Sequence, residues 1–161
     1  MSAMKTAMRL LLDDNVVIDY LVAREPFYLD ARLIMLLGAC KEVELWFGAH
    51  QINDIFYIIS EGGKKSRGLL WQDRLKQLRE FVHICGVQES DIDAALNMGW
   101  DDLEDACVNQ CAEKMHADFI ITRDTDGFSN SHIPALCPSD FIEWLREHKG
   151  LAYEEVYLSR E

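Results

Sequence analysis

Four aspartates stand where an α/β chain can gather them into one acidic site. Asp13 and Asp124 each lie one or two residues beyond a short apolar run, Met8–Leu12 and Ala117–Thr122, and both runs read as strands buried on two faces. In an open α/β sheet, ligands sit outside the carboxyl ends of the strands. Two acids far apart in sequence therefore arrive at one edge. Asp105 belongs to the group Asp102, Glu104 and Asp105, which opens a helix in the connection just ahead of the second run. Asp54 falls in a segment where Ile52, Ile55, Phe56 and Ile59 form an apolar stripe. At 100° per residue it points about 200° away from Ile52, off the stripe and able to face a cleft. Carboxylates crowded within a few ångströms raise one another's pKa, and a hard divalent cation with oxygen ligands relieves the repulsion. Mg²⁺ or Mn²⁺ held in this way neutralises a scissile phosphate and makes a water more acidic. An acidic protein can then attack a polyanion.

The elements that must position these acids alternate in type. A helix follows Met8–Leu12 at once, with Asp14 eligible as its N-cap, and Pro26 ends that segment. Leu29, Leu33, Leu36 and Leu37 recur at helical spacing up to a stop expected at Gly38, and Val43–Phe47 reads as a second strand. The helix carrying Asp54 ends at Gly62-Gly63. Leu69, Leu70, Leu75 and Leu78 mark a helix over 66–79, and Phe81–Cys85 a third strand. Ser90, with Asp93 three residues on, is the expected N-cap of a short helix reaching Gly99. The next helix opens at Asp102 and shows Leu103, Ala106, Cys107, Cys111 and Met115 on one face; Pro138 begins a last amphipathic helix through Arg146. This alternation predicts the α/β class, as a three-layer α/β/α sandwich with a mostly parallel central sheet. One domain is expected over residues 8–147, after a short disordered lead-in at 1–7. The tail at 148–161, with Tyr153, Val156, Tyr157 and Leu158, reads as strand, helix or partner surface alike.

Composition narrows the function. A chain of 161 residues, 49% of them apolar, holds a core without disulfide or metal staples. Its net charge of −12 argues against a bare basic nucleic-acid binder. No apolar run approaches the ~20 residues of a membrane helix, and Met1–Met8 lacks the features of a secretory signal. Five cysteines without a C-x-x-C pair fit reduced thiols in a cytoplasmic protein. Cys107 and Cys111, with His116 nearby, raise the question of zinc but read as small core residues. Gly62-Gly63-Lys64-Lys65 lacks phosphate-loop spacing, and His50, His83, His132 and His148 are isolated. Between Glu61 and Glu80 six basic residues face three acids. Lys64, Lys65, Arg67 and Arg74 there are either a solvated helix face or a guide for an RNA backbone, with Trp71 as a stacking platform.

The segment RLLLDDNVVIDYL at Arg9–Leu21 resembles the opening strand and helix of the PIN domain family, metal-dependent ribonucleases that include VapC-type toxins of toxin–antitoxin pairs. QINDIFYII at Gln51–Ile59, GWDDLEDACVNQCAEKMHADFIITRD at Gly99–Asp124, Phe128 and CPSDFIEWL at Cys137–Leu145 agree in order. The resemblance implies metal binding by Asp13, Asp105 and Asp124, a fourth acid at Asp54, and support from Asn15 and Thr122. It leaves Asp102 as a helix cap and Glu104 as an outer or solvated acid. It also implies an RNA substrate, a homodimer and an antitoxin partner. Two positions depart from the pattern. Asp54 stands where the family usually has Glu, and Gly127 where members often carry Asp, with Asp126 as a substitute one position out of register.

Two competing readings follow. A phosphoacceptor receiver domain also opens with a strand and paired aspartates, but it requires an Asp after the third strand and a Lys after the fifth; Phe81–Gly86 ends without Asp. A degenerate PIN domain that binds RNA or protein without cutting is the second, motivated by Asp54 and Gly127.

Overall fold

Leu10, Leu11 and Leu12 have no exposed surface, and a run of this kind is stable only as the middle of a sheet covered on both faces. A computed structural model describing residues 7–150 places them in β1 (Met8–Leu12) at the centre. The other strands are β2 (Val43–Gly48), β3 (Val82–Cys85), β4 (Phe119–Ile121) and β5 (Ala135–Leu136), in the order β3-β2-β1-β4-β5. Every pairing is parallel, with Leu10 opposite Leu45 and Leu12 opposite Ile121.

Successive side chains of β1 leave on opposite faces, so Leu10 and Leu12 feed one core and Leu11 another. The first core holds residues of α1 (Asp14–Leu21), α2 (Tyr28–Ala39), α3 (Gln51–Ile59), α4 (Lys65–Leu78) and α7 (Pro138–Lys149), among them Ile34, Ile55 and Phe141, packed on Phe47 of β2. The second gathers Leu11 and Ile120 against Val108, Cys111 and Met115 of α6 (Leu103–Lys114). Helix α5 (Glu89–Asn97) packs on α6 through Ala95, Ala106 and Cys107. The result is the expected three-layer α/β/α sandwich.

Strand order reverses at β1, since β2 and β3 lie on one side of it and β4 and β5 on the other. The connections that leave β1 and β4 therefore diverge and open a crevice at their carboxyl ends. The Asp13 N–H donates to the Ile121 carbonyl at 2.9 Å, which carries the ladder one residue past β1.

Several local expectations are corrected. Helix α2 ends at Ala39, one residue past the stop expected at Gly38; the glycine serves packing instead, since a β-carbon there would overlap the Leu45 side chain, and its absence lets α2 lie close on β2. Gln88, not Ser90, caps α5, in a reciprocal capping box with Asp91. Asp13, not Asp14, caps α1, accepting from the Asp14 N–H at 2.8 Å. The two-residue β5 and the 3-10 turn Asp126–Phe128 were unforeseen, being too short to leave a periodic signal. Leu69 and Leu70 stay exposed on α4, whose buried contacts are Leu75 and Leu78. Among the described residues no helix is long and apolar enough to cross a membrane. The lead-in expected at 1–7 lies outside the described residues apart from Ala7. So does the tail expected at 148–161, apart from 148–150 at the end of α7.

Candidate metal and active site

Asp13 ends β1 and caps α1, so both elements fix its carboxylate. Its Oδ2 accepts from the Thr122 hydroxyl at 2.7 Å and from the Asn15 amide at 2.8 Å. Thr122 is fully buried at the end of β4, and its oxygen also accepts from the Asp124 N–H at 3.0 Å. One hydroxyl thus ties the acid after β1 to the acid after β4. Asn15 adds a second tie, since its Oδ1 accepts from the Arg123 N–H at 3.1 Å. Burial raises the Asp13 carboxyl above its ordinary range; the Thr122 bond opposes this, and the charges of Glu104 and Asp124 add to it.

Asp105 enters from the first turn of α6. Asp102 caps that helix, accepting from the N–H groups of Glu104 at 2.8 Å and Asp105 at 3.2 Å. The Asp105 carboxyl is pushed up to about 6 by burial, and then by Asp102, Asp13, Asp124 and Glu104. Burial together with four neighbouring carboxylates makes this a place that favours positive charge. The crevice itself is a cleft of about 550 Å³ that includes Asp13, Asp54, Asp102, Asp105 and Asp124 in its walls. Asp54, on the exposed side of α3, reaches it as its position off the apolar stripe suggested.

Two further acids join that sequence reasoning had set aside. Asp14, Asp54 and Glu104 each present an oxygen within 4.8 Å of the others. Asp14 is only 8% exposed, held by the Gln51 amide at 2.6 Å, while Gln51 itself is fully buried and also binds the Leu12 carbonyl and the Gly48 N–H. Burial pushes the Asp14 carboxyl up to about 8; Gln51 opposes this, and Glu104 and Asp13 reinforce it. The adjacent acids at 13 and 14 were the available signal, since the first residue of a helix that caps itself with the residue before it faces the same edge.

Other candidates are placed elsewhere. Asp126 lies exposed at the start of the 3-10 turn and takes no part in the cleft wall. Lys64 and Arg67 pair with Glu61 at 2.5 and 2.7 Å. Arg67, Trp71 and Arg74 line a neighbouring cleft of about 620 Å³, and Trp71 packs against the core instead of standing free as a stacking surface. Asp19 is buried and paired with Arg123 and Arg24. Cys107 and Cys111 are buried free thiols in separate apolar clusters.

The family model described as PIN domain matches residues 9–126. The chain belongs to the PIN domain family. Solved structures similar to this PIN domain include a toxin–antitoxin complex from Klebsiella pneumoniae, with TM-score 0.56 and 19% identity over 80% of this chain and 97% of that one. VapBC2 from Rickettsia felis bound to a DNA fragment from its promoter gives 0.58 and 14%, over 81% and 98%. FitAcB from Neisseria gonorrhoeae gives 0.57 and 16%, over 81% and 98%. At these identities the likeness is one of fold. No curated protein matches this PIN domain by sequence.

Proposed function

We propose that this PIN domain is a divalent-cation-dependent ribonuclease that hydrolyses phosphodiester bonds in RNA and serves as the toxin of a toxin–antitoxin pair. The observation that carries the reading is the meeting of Asp13, Asp14, Asp54, Glu104, Asp105 and Asp124 around one cleft at the point where strand order reverses. The residues suit Mg²⁺ or Mn²⁺: all the donors are hard carboxylate oxygens, and burial with mutual repulsion raises the carboxyls of Asp13, Asp14 and Asp105, a penalty that a cation among them would relieve. Such a cation supplies positive charge against the scissile phosphate and makes water a better nucleophile at neutral pH.

The protein's own part is positional. Asp13, Asp105 and Asp124 would hold the cation, and Asp14, Asp54 and Glu104, whose oxygens lie within 4.8 Å of one another, would offer further oxygens beside them. Asn15 and Thr122 keep Asp13 from rotating, and Asp102 orients the first turn that carries Glu104 and Asp105. Asp54 is one methylene shorter than the Glu usual in the family, and Asp14 and Glu104 make up the reach beside it. On the exposed side of α3, Asp54 would also orient a water and take up its proton. The antitoxin is supported by the family resemblance and by the similar toxin–antitoxin complex, and a homodimeric assembly by the family resemblance alone. The exposed apolar residues Tyr57, Ile58, Leu69 and Leu70 of α3 and α4 suit such contacts.

Incubation of a mixed-sequence single-stranded RNA with the full chain and Mn²⁺ tests the activity. Cleavage is expected with the cation and not with EDTA. Asp13→Asn keeps a capping side chain, and together with Asp105→Asn it is expected to lose more than the ~10–100-fold that removal of an outer partner costs. Full activity in both variants overturns the assignment, and RNA binding without cleavage by the unaltered chain favours the binding-only reading.

A further inference from the structure

Among the residues lining the acidic cleft, Arg24 is the one cation. It follows α1 directly, where Ala23 takes a positive φ of 51° and the Arg24 N–H donates to the Asp19 carbonyl at 2.9 Å. That turn fixes where the side chain starts. Its guanidinium does not pair with the cleft acids; among the described residues its ion pair is with Asp19, behind the wall.

Asp19 is 1% exposed and faces two guanidinium groups. Arg123 takes the closer position, with Nε at 2.7 Å from Oδ2, and its plane is held over the Phe27 ring at 4.2 Å from the centroid. Arg24 stands farther off, Nη1 lying 3.6 Å from Oδ1, beyond hydrogen-bond reach. Its side chain is 43% exposed, while that of Arg123 is 29% exposed. Of the two permanently charged groups that share Asp19, the more exposed and less tightly held one is the one in the cleft.

We propose that Arg24 binds a phosphate of the nucleic-acid strand lying in the cleft, as a substrate-positioning contact. This rests on the ribonuclease reading above and adds a residue to it. A guanidinium offers only donors, in a fork that matches two phosphate oxygens. The remaining charged residues of the cleft wall repel a polyanion, so a fixed cation at the rim decides where the backbone enters. Asp19 keeps the fork oriented before the strand arrives, and the long ion pair leaves its N–H groups free to turn toward phosphate.

The experiment compares the full-length unaltered chain with Arg24→Ala, Arg24→Gln and Arg24→Lys, using a labelled single-stranded RNA. Arg24→Ala and Arg24→Gln are expected to raise KM about tenfold or more, the usual effect of losing a hydrogen bond to a charged group, with a smaller change in kcat. Arg24→Lys is expected to recover part of that loss. In binding measurements at several salt concentrations, removing one phosphate contact lowers the slope of log K against log salt by about 0.7. Mn²⁺ affinity without RNA, measured by calorimetry, is expected to stay within about twofold of the unaltered chain, which a disturbed fold does not permit. Arg24→Gln keeps a polar group beside Asp19 and covers the case of poor folding in Arg24→Ala. An unchanged KM and salt slope in Arg24→Gln overturns the role of Arg24 while leaving the ribonuclease reading intact. Absence of cation-dependent cleavage by the unaltered chain overturns that reading, and the salt slope then still decides the contact. Absence of any RNA binding overturns both.

Discussion

A β-carbon placed on Gly127 stands 2.5 Å from the Oδ2 of Asp105 and 3.3 Å from that of Asp124. Both carboxylates therefore occupy space that a side chain would take, and the Gly127 N–H also donates to Asp124 Oδ1 at 3.2 Å. The family pattern has an acid here, so its absence first reads as a missing ligand. The geometry gives another account, in which the glycine makes room for two acids that come from other elements. The backbone is a 3-10 turn that any residue can adopt, so Gly127→Ala acts on the carboxylates alone. It is expected to lower Mn²⁺ affinity roughly tenfold, in the range seen for loss of outer-shell support. Isothermal titration measures this, and an unchanged affinity shows that Asp105 has room to move.

At the scale of elements, the site depends on how closely helices approach the sheet. Gly38 lies inside α2, where alanine is normally preferred by about 0.8–1.0 kcal/mol. Its added methyl, however, would overlap Leu45, which has no exposed surface in β2. Overpacking of this kind costs about 1–3 kcal/mol, so the two effects oppose and the steric one is the larger. Gly38→Ala is expected to unfold at lower urea concentration than the parent. A midpoint equal or higher shows that Leu45 turns aside. Helix α6 illustrates the same dependence from its end, because Asp102 both starts the helix and aims the two acids that follow it.

For the whole molecule, an acidic cleft ties stability to pH and to cations. Asp13, Asp14 and Asp105 all have folded pKa values above the ordinary 3.8, with Asp105 at about 6 and Asp14 at about 8. The folded chain therefore keeps protons that the unfolded chain has released, and stability falls as pH rises from 3.8 through those values. His50 works in the opposite sense, since burial lowers its pKa below 6.5, but its effect is complete once the pH is above that value. Between about pH 7 and 8.5 Asp14 is still losing its proton, so the Tm of the EDTA-treated protein is expected to fall over that interval. Mg²⁺ is expected to raise Tm more at the upper pH, where Asp14 is ionised and able to ligate. Thermal melts at both pH values, with and without Mg²⁺, check the pair. A metal-free Tm that rises, or a Mg²⁺ shift no larger at the upper pH, contradicts a cleft held together by cations.

The amino-acid order alone determined the alternation of strands and helices, the acids that end β1 and β4, and the cap at Asp102. These are local properties: a buried run breaks at a charge, and a capping oxygen reaches N–H groups two and three residues on. Asp54 was legible for the same reason, since its place off an apolar stripe follows from helical repeat. What the tertiary structure decided depends on elements meeting across long separations. Thr122 and Asp13 are 109 residues apart, and their bond exists only because β4 returns to lie beside β1. The inward turn of Asp14 depends on Gln51 arriving 37 residues later to hold it. Glu104 entered the cleft, Asp126 stayed outside it, Trp71 went to the core and Gly38 passed inside a helix because of which faces packed together. Periodicity along one segment records that a face exists, while its partner is chosen by the packing of all the others.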